Sequence, residues 1–248
     1  MHDPIATKLE ELSATPIACN QPLAAYTSFR IGGPADYLAS PTSADQVGSL
    51  VRAARDLSLP VTFMGQGTNL LVRDGGVRGL VIRLGPGLAR IDVNPPRIRA
   101  ETGAKVRDLC EAAAEHSLTG LEFAVGIPGT LGGALAMNAG AYGGSIGDLV
   151  LEVRAVRTDG ESRVFGRDDC AFGYRTSAFR AEGWIALEAT LGLAPGDADA
   201  IRERHRDYCA RRRASQPLDA PSAGSVFKRP AGHFAGPLIE SAGLKGTR

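Results

Sequence analysis

Gly126-Ile127-Pro128-Gly129-Thr130-Leu131-Gly132-Gly133 leads into Asn138-Ala139-Gly140-Ala141-Tyr142-Gly143, and the reading of the whole chain turns on this stretch. It gathers six glycines and an asparagine among mostly small, apolar residues. Glycine in an ordered element costs backbone entropy, so such a cluster needs a compensating reason. The usual one is close approach of backbone to a ligand, with bare amide N–H groups aimed at phosphate oxygens. A second glycine-rich turn, Gly65-Gln66-Gly67-Thr68-Asn69, has the same chemistry. Two phosphate-compatible loops in one chain point to a dinucleotide.

The spacing argues against the standard dinucleotide and mononucleotide folds. Gly65-Gln66-Gly67 follows a strand, but Leu70-Leu71-Val72 reads as further strand rather than as the helix that a G-x-G-x-x-G turn must open. The second segment places its glycines at 126, 129, 132 and 133, which also misses that pattern, and no Walker A lysine with Ser/Thr is present. Gly32, Gly33, Gly75 and Gly76 read better as tight-turn glycines than as ligand contacts.

Outward from these loops, periodicity predicts a helix over 4–14 and another from Ser43 to Leu57, with Ser43 as cap and Val47, Leu50, Val51 and Ala54 on one face. A third is expected over 105–116, an Arg-rich one over 198–214 and a short one over 236–242. Strands are predicted at 29–40, 61–64, 70–73, 79–84, 89–93, 98–101, 149–158, 161–165, 184–193 and 225–227, with Asp159-Gly160 as a hairpin turn. This is an α+β layout without regular βαβ alternation, and composition changes most clearly at Pro195-Gly196.

The 248 residues are 44% hydrophobic and 22% charged, as in an ordinary globular protein, with net charge +1. Dispersed basic residues and the lack of an aromatic stacking motif argue against nucleic acid. Arg202, Arg204, Arg206, Arg211, Arg212 and Arg213 form the one basic run, either a solvated helix face or an attractor for a phosphorylated ligand. Cys19, Cys110, Cys170 and Cys209 form no metal or dithiol pattern and fit reduced, mostly buried thiols, and no metal is expected. No export signal or membrane-spanning run is read, so a cytoplasmic monomer is expected.

Five strings occur in one order: Ser28-Phe29-Arg30-Ile31-Gly32-Gly33-Pro34-Ala35; GQGTNLLV at 65–72; the 126–143 segment; Tyr174-Arg175-Thr176-Ser177; and Ala223-Gly224-Ser225-Val226-Phe227-Lys228. In this series the chain closely resembles the UDP-N-acetylenolpyruvoylglucosamine reductases, flavoenzymes that make UDP-N-acetylmuramic acid for peptidoglycan. The resemblance runs from about Thr27 to Lys245.

It implies an FAD-binding domain of the vanillyl-alcohol-oxidase type in two α+β subdomains, 1–96 and 97–195, and a small α+β substrate domain at 196–248. Gly65, Gln66, Gly67, Thr68, Asn69 and Leu70, with Gly126, Ile127, Pro128, Gly129, Thr130, Gly132 and Gly133, would hold the FAD diphosphate. Asn138 and Gly140 would lie along the cofactor. The implied reaction has NADPH reduce FAD, hydride pass from flavin N5 to C3 of the enolpyruvyl group of UDP-N-acetylglucosamine enolpyruvate, and Ser225 protonate C2. Arg175 would pair with the enolpyruvyl carboxylate. Tyr142, Tyr174 and Arg213 would contact substrate, and Lys228 and Arg229, with the backbone at Gly224, would ease ionisation of Ser225. No extra tyrosine-bearing loop separates Arg175 from Trp184, as in the shorter subclass. The family's third catalytic residue, a glutamate near its C-terminus, has no counterpart before Arg248; Glu240 lies on the preceding helix. The chain is therefore expected to bind FAD and turn over slowly. The residue-based alternatives are another FAD-dependent oxidase of this fold and a non-catalytic FAD or UDP-sugar binding module.

Overall fold

The computed structural model describes residues 3–216 and 218–247. Asp3 caps α1 (Pro4–Ser13), its carboxylate accepting from the amides of Ile5 and Ala6. β1 (Ile17–Pro22) then pairs antiparallel with β2 (Pro34–Ala39), setting Pro22 opposite Pro34. Ser43 caps α2 (Ala44–Asp56), where Val47, Leu50, Val51 and Ala54 are buried as their spacing predicts. β3 (Val61–Met64) and β4 (Val77–Arg83) complete a four-stranded sheet of order β1-β2-β4-β3, with β2, β4 and β3 parallel. In β4, Leu80, Val81 and Ile82 are all buried because both faces of the sheet are covered. The parallel strands end on one edge at Ala39, Arg83 and Met64, and the first glycine loop leaves from there. Open sheets of this kind bind ligands at such an edge.

β5 (Ile91–Asn94) opens the second sheet and pairs with β6 (Arg97–Glu101). α3 (Val106–Glu115), β7 (Leu118–Thr119) and α4 (Leu131–Ala136) follow, then the hairpin of β8 (Gly140–Ala141) and β9 (Gly144–Ser145). β10 (Val150–Arg157) and β11 (Ser162–Gly166) turn at Asp159-Gly160, where Gly160 has φ +93°. α5 (Ala178–Ala181) precedes β12 (Trp184–Gly192), and β13 (Ala194–Pro195) pairs with β7. The five-stranded sheet, β11-β10-β12-β6-β5, is antiparallel throughout. Val156, Ile185 and Leu187 join the cluster of Leu50, Ile82 and Leu84, so apolar packing is continuous between the two sheets.

α6 (Ala198–Ser215) starts at an Asp197 cap, and Ile201 is the one hydrophobic residue of the described 196–247 segment that is buried. α7 (Ala235–Ser241) buries none, so the segment after α6 lies along the surface.

Several expectations are corrected, and of the strand expected over 29–40 only Pro34–Ala39 forms. Leu70–Arg73 is not a strand; Leu71 is 65% exposed and the run lacks a neighbour to pair with. Ser225–Phe227 is not a strand either, and Val226 is 89% exposed. β1 and α4 were not expected, the first because Pro16 and Pro22 read as breakers, the second because Gly132-Gly133 falls inside it. Prolines at the ends of an edge strand break no ladder bond. Of the four free thiols only Cys110 and Cys170 are buried, whereas Cys19 is exposed. Burial pushes the Cys170 thiol up to about 11, so it stays protonated.

Candidate active site

The two glycine loops meet. Gly67 has φ +62°, and a Cβ there would strike the Tyr26 carbonyl, so only glycine fits. Thr68 Oγ1 donates to Pro128 O at 3.3 Å, and a Cβ on Gly65 would run into Thr130 Oγ1. On the second loop, Leu131 N donates to Ala104 O and Gly132 N to Thr102 O, each at 2.8 Å. Thr102 is itself pinned, donating to Ala186 O at 2.8 Å.

What this packing leaves free defines the site. Among the described residues, the amides of Gly65, Gln66, Gly67, Thr68, Asn69 and Leu70 donate to no protein acceptor. The same holds for Gly126, Gly129, Thr130 and Gly133. Pro128 has no amide, and Ile127 N is taken by Ala124 O. Bare backbone donors on two touching loops fit an acceptor-rich anion such as a diphosphate, and at the buried Gly67 and Thr130 an amide without a partner is costly. A Cβ on Gly133 would meet nothing nearer than Thr130 Oγ1 at 3.9 Å, so that side of the cradle is open. The donor set fits the diphosphate of FAD.

Next to the cradle, Asn138 works as a strut. Its Nδ2 donates to Gly173 O at 3.1 Å and its Oδ1 accepts from Gly147 N at 3.0 Å, tying the loop of Tyr174 and Arg175 to the glycine segment. Arg175 is held in the left-handed region at φ +59°, with Arg180 Nη1 donating to its carbonyl at 2.7 Å. Tyr142 stacks on Tyr208 with centroids 4.2 Å apart and donates to Tyr208 O at 3.1 Å. Gly140 sits in the β8–β9 hairpin beneath it.

The surface segment carrying Ser225 is tethered at two points. Ser28 Oγ donates to Ser222 O at 2.6 Å, and Ser28 N donates to Gly67 O at 3.3 Å. Seven residues on, Arg229 N donates to the Tyr174 hydroxyl at 3.1 Å. Ser225 thus lies on a span strung between the first glycine loop and the Arg175 loop. Gly224 N is taken by Ser222 Oγ, and the Arg229 guanidinium stacks on Phe234 at 4.2 Å. Lys228 has no hydrogen-bond or ion-pair partner among the described residues.

The arginine run divides. Arg202 and Arg211 pair with Asp199 and Asp207 on their own helix. Arg204 reaches the core and binds Glu122 at 2.6 Å, and Glu122 also accepts from Thr119 Oγ1 and Gly120 N. Burial opposes ionisation of Glu122, but the hydrogen bonds from Thr119 and Arg204 and from backbone outweigh it and hold the carboxyl at about 2. The stem of Arg212 lies over Gly126, while Arg213 is exposed. Arg204, Tyr208 and Arg212 share one face at i, i+4, i+8, a spacing readable in the sequence that singles out the inward side of the run.

A fold of this kind, with two glycine loops meeting through Thr68 and Pro128, defines the vanillyl-alcohol-oxidase type of FAD-binding fold. Residues 35–166 match the FAD binding domain family, and the fold resembles a VAO-type flavoprotein from Myceliophthora thermophila at TM-score 0.51 and 18% identity, over 65% of this chain and 32% of that one. Residues 216–248 match the UDP-N-acetylenolpyruvoylglucosamine reductase C-terminal domain family. The chain is 48% identical to the UDP-N-acetylenolpyruvoylglucosamine reductase of Levilactobacillus brevis over 95% of its own length and 77% of that protein's. The crystal structure of the enzyme from Thermus caldophilus superposes at TM-score 0.80 with 32% identity, covering 94% of this chain and 82% of that one. The chain belongs to the UDP-N-acetylenolpyruvoylglucosamine reductase family, and is an FAD-dependent oxidoreductase.

Proposed function

We propose that the chain reduces the enolpyruvyl group of UDP-N-acetylglucosamine enolpyruvate to give UDP-N-acetylmuramate, with NADPH as reductant. The observation that carries this reading is the double tether of the 222–229 span, on Ser28 and on Tyr174, which holds Ser225 between the diphosphate cradle and the Arg175 loop. We assign 1–96 and 97–195 to the two FAD-binding subdomains and 196–248 to the substrate domain.

The free amides of Gly65–Leu70, Gly126, Gly129, Thr130 and Gly133 donate to the diphosphate of FAD, Ile127, Pro128 and Gly132 shape the second loop, and Asn138 and Gly140 lie alongside the cofactor. Bound FAD supplies the hydride that C3 of the substrate receives. Arg175 presents a planar fork to the substrate carboxylate, and its fixed positive charge stabilises the negative charge that develops there during reduction. Ser225 gives its proton to C2. A serine hydroxyl is a weak acid, so a cation must lower the cost of the alkoxide, and Lys228, unpaired among the described residues, lies three residues along the same span. Tyr142, Tyr174 and Arg213 form the substrate side, with Arg229 closing it through its backbone contact to Tyr174.

The test is the visible spectrum of the purified chain, first with anaerobic NADPH and then with the enolpyruvyl sugar nucleotide. Bleaching by NADPH and recovery on adding substrate are expected. Ser225→Ala should still bleach but recover slower by about 10²–10⁴-fold, the usual contribution of a positioned acid. A chain that carries flavin but never recovers its colour with substrate would contradict the assignment.

A further inference from the structure

Arg83 ends β4 directly beside Met64, the residue that opens the first glycine loop, and Leu84 N donates to Met64 O at 2.8 Å. Its guanidinium carbon lies 5.0 Å from the centre of the Tyr26 ring, and the Tyr26 carbonyl packs against Gly67. On its other side it approaches Gly85, whose carbonyl packs against Gly103, next to the Thr102 that binds Gly132 N. Arg83 therefore sits beside the first loop, at the strand end from which that loop leaves. Its Nε is buried with no hydrogen-bond partner, and no carboxylate pairs with it among the described residues. The contrast with Arg157 is direct: that Nε is also buried and unbonded, but its guanidinium pairs with Asp159 and Glu161. A half-buried guanidinium without a counter-ion among the described residues, at the strand end that leads into the loop of free amides, is poised for an anion from outside the chain.

We propose that Arg83 is the cation of the cofactor cradle, held over Tyr26 so that its guanidinium pairs with the diphosphate bound by the Gly65–Leu70 amides. The assignment rests on reading those loops as the FAD site and adds the charge that backbone donors alone do not provide. It predicts an unusual signature. Arg83→Met keeps the stem and removes the guanidinium, so the flavin-free protein should lose little beyond the Tyr26 contact and its melting temperature should change little.

The experiment measures the FAD dissociation constant of the flavin-free 248-residue chain by flavin fluorescence, at low and high salt, with melting temperatures alongside. Arg83→Met should weaken FAD at least about tenfold at low salt, and the gap should narrow at high salt as screening weakens the pairing that the variant lacks. Arg83→Lys, which keeps the charge without the fork, should fall between. Equal affinity of Arg83→Met and the parent would overturn the inference. So would a loss that is independent of salt and accompanied by a lower melting temperature, the mark of a packing role. A parent chain that binds no FAD would overturn the underlying reading of the loops, and the inference with it.

Discussion

Two sets of glycines serve opposite ends: one leads into β2 and β4 of the first sheet, and the other lies on the two loops that meet at the site. Gly33 and Gly76 are locked into backbone: a Cβ on Gly33 would enter Asp74 O, and one on Gly76 would enter Pro34 O. Their amides both donate to Arg73 O, at 3.0 and 2.9 Å. Gly65, Gly67, Gly129 and Gly133 leave their amides free among the described residues. Glycine content is the same signal in both sets. What separates a structural glycine from a ligand glycine is whether its N–H already has a partner.

The largest expected effect falls on the structural set. Gly76→Ala places a side chain at φ +75° against the Pro34 carbonyl and should cost about 3 kcal/mol of stability. FAD affinity of the folded fraction should be unchanged. Urea unfolding with and without flavin measures both, and an intact, stable variant would break the comparison.

The same distinction extends to charges, since Glu122 has all its strong partners inside the chain. Its folded pKa of about 2 lies below the ordinary 4.5, so the stability it lends is present above pH 4.5 and lost as pH falls toward 2. Glu122→Gln should destabilise by up to about 3 kcal/mol at pH 7, and the gap from the parent should close near pH 2. A gap that does not vary with pH would remove the ion pair from the explanation.

Gly133→Ala tests the ligand set with a smaller and opposite pattern. It sits in a helix with open space beyond, so flavin-free stability should rise by up to about 1 kcal/mol. FAD should bind about tenfold more weakly, because the methyl enters the cradle. Smallest of all is Arg211→Gln, which removes an exposed pair with Asp207 on the same helix and should leave the melting temperature unchanged.

Much of the fold follows from local pattern. The Ser43 cap, the inward face of α2, β3 at Val61–Met64 and the Asp159-Gly160 hairpin are set by residues within one element. Leu70-Leu71-Val72 defeats that logic: an apolar run beside a strand reads as more strand, yet no neighbour offers it a ladder. The site divides in the same way. The glycine loops are legible because their residues are contiguous. The Ser28–Ser222 tether joins residues 194 apart and the Arg204–Glu122 pair residues 82 apart, and neither leaves a local trace. Asn138 was expected along the cofactor, and its role as a strut to Gly173 depends on where a distant loop returns.

The account rests most heavily on the free amides, and hydrogen exchange reads them one by one. Exchange of the full chain would be followed with and without saturating FAD. Amides 65–70, 129, 130 and 133 are predicted to exchange fast without flavin and to become strongly protected with it, while Gly33 and Gly76 stay equally protected in both. Unchanged exchange at 65–70 on FAD binding would contradict the cradle.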